Sequence, residues 1–142
     1  MSQTDCNSLI GIWKLKSIQF ELADTGEIAD VFGPNPSGYL MNTAEGRMMA
    51  LLMRSDRVPP KEDSDGSTLF KTMMAYTGNC RIEGDDKFIT NVDLAWHPSW
   101  NGTEQTRYFK LEGDTLSITT AQQANPMLAG RMGRGTITWT RA

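Results

Sequence analysis

Few residues in this 142-residue chain are equipped for chemistry. There is one histidine, His97, and there are two cysteines, Cys6 and Cys80. Metal coordination by protein side chains needs three or four ligands at short, regular spacing, and these residues do not supply it, so no metal site is expected. A serine or cysteine nucleophile would have to be activated through His97. Neither cysteine nor any serine sits in the strand–turn–helix context that exposes such a nucleophile. The stretch Gly130-Arg131-Met132-Gly133-Arg134-Gly135 is glycine-rich and basic. It does not lead from a strand into a helix, as a phosphate loop must, and reads as a loop before the last strand. No cofactor is implied. The residue that stands out is Arg107.

Residues 105–111 read as a strand, whose side chains alternate between two faces. Gln105, Arg107, Phe109 and Leu111 share one face. Glu104, Thr106, Tyr108 and Lys110 share the other. The second face carries the charges and suits solvent, so Arg107 is expected to point inward. An unpaired buried guanidinium costs several kcal/mol, an order-of-magnitude figure. It therefore needs an acidic partner, carbonyls, water or an anionic ligand. Two readings stand side by side: a structural arginine whose head reaches water under a strand end, and a ligand contact.

The elements that position Arg107 follow from the pattern. Leu9 to Leu22 is a long first strand; Trp13 and Leu15 have one parity and Ile18, Phe20 and Leu22 the other, which predicts a bulge near Lys16-Ser17. Short strands follow at 28–32, 39–43 and 48–54, the last apolar on both faces and therefore expected to be covered on both. Residues 55–66 are irregular. A helix is expected over Ser67–Ala75, capped by Asp65 or Ser67, with Leu69, Phe70, Met73 and Met74 plugging or covering one end. Further strands are expected at 76–82, 87–97, 105–111, 116–120 and 135–141. On the 87–97 strand the alternation places Phe88, Thr90, Val92, Leu94 and Trp96 inside. Methionine concentrates mid-chain, at Met41, Met48, Met49, Met53, Met73 and Met74. Such pliable side chains fill a core or form an adaptable cavity wall. The sum is an all-β fold: an antiparallel, up-and-down β-barrel of about nine or ten strands with one short helix. A barrel of that size can hold one small ligand.

The totals set the class. One domain over 1–142 is expected at this length. The formal charge is −3 and the basic residues do not cluster, so nucleic acid is not an expected partner. No apolar run is long enough for a membrane span. The first residues lack the basic and apolar regions of a signal peptide. A cytoplasmic setting is expected, and with it reduced thiols at Cys6 and Cys80. Self-association as a homo-oligomer is left open.

Gly11-Ile12-Trp13 on the first strand, with Arg141 at the end of the last, resembles the lipocalin pattern in which an arginine late in the chain packs over the tryptophan at the barrel base. The ordered blocks L-I-G-I-W-K-L, G-P-N-P-S-G-Y-L-M, M-R-S-D-R, Y-T-G-N-C, P-S-W-N-G-T-E-Q-T-R-Y-F-K-L and T-W-T-R together resemble the small stand-alone lipocalin-like domain family of bacteria and fungi. The resemblance covers nearly the whole chain. It implies a β-barrel with an internal cavity and does not imply one activity, since related small barrels include cofactor-free cyclases and isomerases. The family pattern also implies that the face bearing Asn91 and Asp93 lines the cavity, against the hydrophobic alternation. Asp93 inside would give Arg107 a partner. Asn91 stands where histidine would be expected, which argues against acid–base work at that position.

Two functions follow as expectations. The first is binding of a small, mostly apolar molecule with a polar or anionic end. Arg107 and Gln105 would orient that end, assisted by Asn91, Asp93, Tyr39 and Tyr76, with Trp100 and the helix bordering the mouth. The second is a cofactor-free cyclase, isomerase or lyase. In that case Arg107 would stabilise developing negative charge, and Asp93 or Tyr76 would move a proton.

Overall fold

The structure is a computed structural model, and it describes residues 7–142. Ten strands and one α-helix succeed one another: β1 (Gly11–Leu22), β2 (Ile28–Ala29), β3 (Ser37–Asn42), β4 (Arg47–Met53), α1 (Asp63–Lys71), β5 (Met73–Glu83), β6 (Lys87–Ala95), β7 (Glu104–Glu112), β8 (Thr115–Thr120), β9 (Gln123–Ala124) and β10 (Met132–Arg141). Eight strands pair antiparallel in the order β1-β3-β4-β5-β6-β7-β8-β10, and β1 pairs with β10 to close the barrel. The two-residue strands β2 and β9 extend the sheet beside β1 and β10. Closure leaves no long unpaired edge among these eight strands.

β1 shows how the sequence builds the curve. Its register with β10 shifts between Leu15 and Ser17, the bulge expected from the change of apolar parity. The extra residue turns Ile18, Phe20 and Leu22 onto the same buried face as Trp13 and Leu15. Trp13 closes the barrel base. Its indole N–H donates to the Leu9 carbonyl at 3.0 Å, and the Arg141 guanidinium lies 4.1 Å from its ring centroid. Arg141 also donates to the Ile10 carbonyl. Gly11 makes the stack possible: its φ of 130° suits glycine, and a Cβ there would come within 3.0 Å of the Arg141 Nη1.

A second register shift lies between Thr77 and Gly78 of β5, where Thr77 pairs with Leu94 but Gly78 pairs with Val92. Asp93 is thus the extra residue on β6, and the parity of that strand changes there. Phe88, Thr90 and Val92 are buried, as alternation predicts, whereas Leu94 faces outward. Gly78 has no alternative, because a Cβ there would collide with the carbonyl of Asn91.

Three expectations are corrected. The helix begins earlier than Ser67: it runs from Asp63 to Lys71, and the Asp65 carboxylate accepts from the backbone N–H of Glu62 and Lys61 at its start. Met73 and Met74 belong to β5, so α1 contributes no buried residue. Strand β4 is covered on one face only, since Met49 and Leu51 are exposed. Finally, Cys80 is disulfide-bonded rather than a free thiol; Cys6 lies outside the described residues. That bond removes one support for a cytoplasmic setting, because disulfides persist mainly in oxidising compartments. No helix among the described residues is long and apolar enough to cross a membrane.

Candidate functional site

Arg107 reaches the barrel interior because β7 alternates as its sequence predicts. Gln105 and Arg107 are buried, and Glu104 and Tyr108 are exposed. Arg107 pairs with Phe88 on one side and Thr120 on the other, placing it in the half of the barrel away from Trp13. Only 2 % of its surface is exposed.

The guanidinium is held by aromatic faces rather than by a carboxylate. It lies 5.9 Å from the ring centroid of Tyr76 and 5.7 Å from that of Trp100, within the range of cation–π attraction. Those two rings meet edge to face at 5.0 Å, and Trp96 packs against Trp100 at 5.3 Å. Nη1 donates to the Thr106 carbonyl at 3.1 Å, and Nη2 to the Tyr76 hydroxyl at a long 3.4 Å. No Asp or Glu among the described residues forms an ion pair with it; the ion pairs of the chain lie elsewhere.

Arg107 and Tyr76 line an internal cavity of about 20 Å³. Its walls are otherwise mostly apolar, from Phe20, Met48, Met74 and Phe88 to Ile118 and Trp139, with Thr120 and Asn125 adding polar groups. A volume of this size accommodates about one water molecule. The interior is thus packed, with a cation at one end. The indole N–H of Trp139 is buried without a hydrogen-bond partner, so a second unsatisfied donor belongs to a residue lining the same space.

The other expected site residues divide. Trp100 is buried beside Arg107 and Tyr76. Gln105 is buried but committed to protein groups, donating to the Thr103 hydroxyl at 2.9 Å and accepting from Gln123 at 2.8 Å. Tyr39, Asn91 and Asp93 lie on the outer face, which corrects the expectation that they help to orient a molecule in the interior. Asp93 pairs with Arg47 at 2.8 Å, both groups substantially exposed, and so is not the partner of Arg107. The hydrophobic alternation of β6, and not the family pattern, describes this part of the strand. Outward Asp93 lies in hydrating surroundings and meets a surface arginine across β5.

Sequence reasoning missed Thr120, Asn125 and the unsatisfied indole of Trp139. Thr120 was legible: it continues the inward parity of Leu116 and Ile118 on β8. Asn125 belongs to the segment between β9 and β10, where no periodicity indicates direction.

The rim at this end is built from α1 and the 3-10 turn Pro98–Trp100. Phe70 of α1 rests 6.5 Å from Trp96 and 5.7 Å from His97. Arg57 ties the helix down through the Leu69 carbonyl and the Thr72 hydroxyl. His97 caps the 3-10 turn that carries Trp100; its Nδ1 lies 2.7 Å from the Ser99 hydroxyl and accepts the Ser99 N–H. That pairing spans two residues and serves the turn. No cluster of His, Cys, Asp or Glu among the described residues could hold a metal ion.

Comparison with curated proteins gives no match. The sequence does match the family of lipocalin-like domains over residues 10–142. With the closed antiparallel barrel and the Trp13–Arg141 stack at its base, the chain belongs to the lipocalin-like domain family.

Proposed function

We propose that the barrel interior binds a small, mostly apolar molecule with an anionic end, and that Arg107 receives that end. The observation that carries this reading is a guanidinium 98 % buried with no carboxylate beside it. Burying such a charge opposes folding unless something compensates for it. Two aromatic faces, one carbonyl and one long hydroxyl contact compensate only in part. The unsatisfied Trp139 N–H adds a second donor to the lining, which suits an oxygen-rich group. The surrounding apolar walls suit a hydrocarbon or aromatic body.

Because the cavity is about 20 Å³, binding requires the interior to open. Met48 and Met74 are the wall residues best able to yield, being unbranched with several rotatable bonds. The helix α1 buries no side chain, so displacing it costs little core contact. Access therefore lies at the end carrying Phe70 and Trp100. The cyclase, isomerase or lyase reading is weaker, because no Asp, Glu or His lines the cavity among the described residues. Tyr76 would be the sole candidate for proton transfer.

The test uses decanoate and decanol as probes, titrated against the intact protein by calorimetry and intrinsic tryptophan fluorescence. Decanoate is expected to bind at least tenfold more tightly than decanol, and Arg107→Met to abolish the difference. Equal affinity of the wild type and the variant for decanoate overturns the assignment of Arg107. Native mass spectrometry of the purified protein provides a second readout: a co-purified small acid supports the reading, and a co-purified cation or neutral polar molecule opposes it.

A further inference from the structure

His97 does not line the interior cavity, yet it holds a residue that packs on Arg107. Its Nδ1 accepts the Ser99 N–H at 3.3 Å and lies 2.7 Å from the Ser99 hydroxyl, which makes it the N-cap of the 3-10 turn Pro98–Trp100. A backbone N–H only donates, so Nδ1 carries a lone pair and the ring proton of neutral His97 sits on Nε2. The turn delivers Trp100, which meets Tyr76 edge to face at 5.0 Å and whose ring centroid lies 5.7 Å from the Arg107 guanidinium. After Trp100 the chain is held independently. Thr103 donates twice to the Trp100 carbonyl, and the Asn101 side-chain oxygen accepts the Ala95 N–H at 2.8 Å. Before Trp100 the side-chain anchor is His97.

His97 also borders an outer pocket that adjoins the cavity. This open pocket of about 310 Å³ lies between the 3-10 turn and residues 124–130, lined by His97, Ser99, Asn125, Pro126 and Gly130 among others. Asn125 lines the internal cavity as well, so one residue borders both spaces. We infer that His97 is a positioning residue for the molecule held in the barrel. Neutral, it fixes Trp100 against Arg107 and keeps the wall beside Asn125 closed. Protonated, it frees that wall and speeds entry and release. The inference rests on the binding proposed above and adds its control by pH.

The chemistry turns on one lone pair. Protonation at Nδ1 removes it. The Ser99 hydroxyl can rotate and accept instead of donating, but the Ser99 N–H then faces another N–H and its cap is lost. Histidine is the side chain whose ordinary titration falls between pH 5 and 8, and the chain has one. Phe70 of α1 at 5.7 Å and Trp96 at 5.9 Å pack on the ring, and the residues across the pocket are uncharged. On α1, Asp63 shares the Phe70 face two turns away, about 10 Å along the axis. Asp65 is occupied at the start of that helix, and Lys71 at its end is exposed. Arg131, beside Gly130, is paired with Asp24 at 2.9 Å. Arg107 packs on Trp100. Among the described residues no ion pair involves His97, so its protonation acts on the cap and not on a charge partner.

The experiment measures the release of two probes by stopped-flow tryptophan fluorescence from pH 8 to 5: decanesulfonate, whose charge is constant over that range, and decanol, which has none. In the wild type both release rates are expected to rise about fivefold, the factor that one lost N-cap represents. His97→Asn, whose amide oxygen caps without titrating, is expected to release slowly at every pH, and His97→Ala quickly at every pH. In the free protein the Tyr76 ring resonances, which sense the Trp100 ring, are expected to follow the same titration in the wild type and to stay constant in His97→Asn. Release rates that do not change with pH, or an unchanged pH dependence in His97→Asn, overturn the inference. So does a response confined to the sulfonate, since His97 would then act by its charge and not through Trp100. Tyr76 resonances that stay still in the wild type overturn it whether or not the probes bind. If neither probe binds at any pH while those resonances titrate in the wild type alone, the interior-binding proposal fails and the positioning of Trp100 by His97 stands.

Discussion

Replacing Arg107 by methionine is the perturbation that best separates a site residue from a structural one. Methionine fills similar space without charge. The losses can be bounded from the structure. The hydrogen bond to the Thr106 carbonyl, at 3.1 Å, contributes about 1.5–3 kcal/mol as a charged donor to a neutral acceptor. The contact to the Tyr76 hydroxyl at 3.4 Å adds little. Two cation–π contacts contribute roughly 0.5–1 kcal/mol each, more when desolvated. Against this, methionine relieves the several kcal/mol that burying an unpaired guanidinium costs. It also gains about 1.5–3 kcal/mol as a buried apolar side chain. The balance favours the variant. Its stability is expected to be unchanged or higher by up to about 3 kcal/mol, consistent with what hydrophobic replacement of buried ion pairs achieves. Urea unfolding at pH 7, followed by tryptophan fluorescence and by circular dichroism, measures this directly. An unfolding free energy lower by more than about 2 kcal/mol, with unchanged m-value, would show that Arg107 holds the barrel together. The argument from uncompensated charge would then be wrong.

Other outcomes can be stated more briefly. Trp13→Ala should cost about 3–5 kcal/mol as the truncation of a fully buried aromatic, read by thermal and urea unfolding; a loss under about 1 kcal/mol would remove Trp13 from its place at the barrel base. Gly78→Ala should cost about 3 kcal/mol or more, because overpacking here meets backbone and not a flexible side chain. Wild-type stability in that variant would contradict the close approach of β5 to the Asn91 carbonyl. Arg131 hydrogen-bonds Asp24 at 2.9 Å and thereby holds its carboxyl below the usual value of 3.8. A depressed carboxylate stabilises the fold above its unfolded value and loses that contribution as pH falls through the folded one. Amide resonances of residues 129–131 should therefore be constant from pH 7 to about 5 and move only below about 4, near the ordinary carboxylate range. A midpoint at or above the usual 3.8 would contradict the pairing.

Much of the barrel was legible in local sequence. Alternation on β1 and β7 gave the inward faces, and the parity change at Lys16-Ser17 gave a bulge. The reason is physical: when one face of a strand is buried and the other solvated, hydrophobicity records direction with period two. Arg107 was found by the same rule, as a charge on an apolar face. The helix was misplaced because its apolar residues, Met73 and Met74, continue into β5, and periodicity alone does not separate a short buried strand from a helix turn.

What the sequence by itself determined is therefore the fold class, the inward faces of β1 and β7 and the inward direction of Arg107, while its resemblance to the lipocalins supplied the tryptophan–arginine closure of the base. Tertiary structure decided the rest. The Asp93 bulge sent Leu94 outward, and Arg47 on β4 claimed Asp93, two strands away from its own. Neither event has a local signature, because each depends on the register between strands distant in sequence. Only the assembled barrel shows that Arg107 is enclosed by Tyr76 and Trp100 without an anion. The size of the cavity likewise reflects how side chains from eight strands fill a common volume, a property of their joint packing that no single stretch of sequence carries.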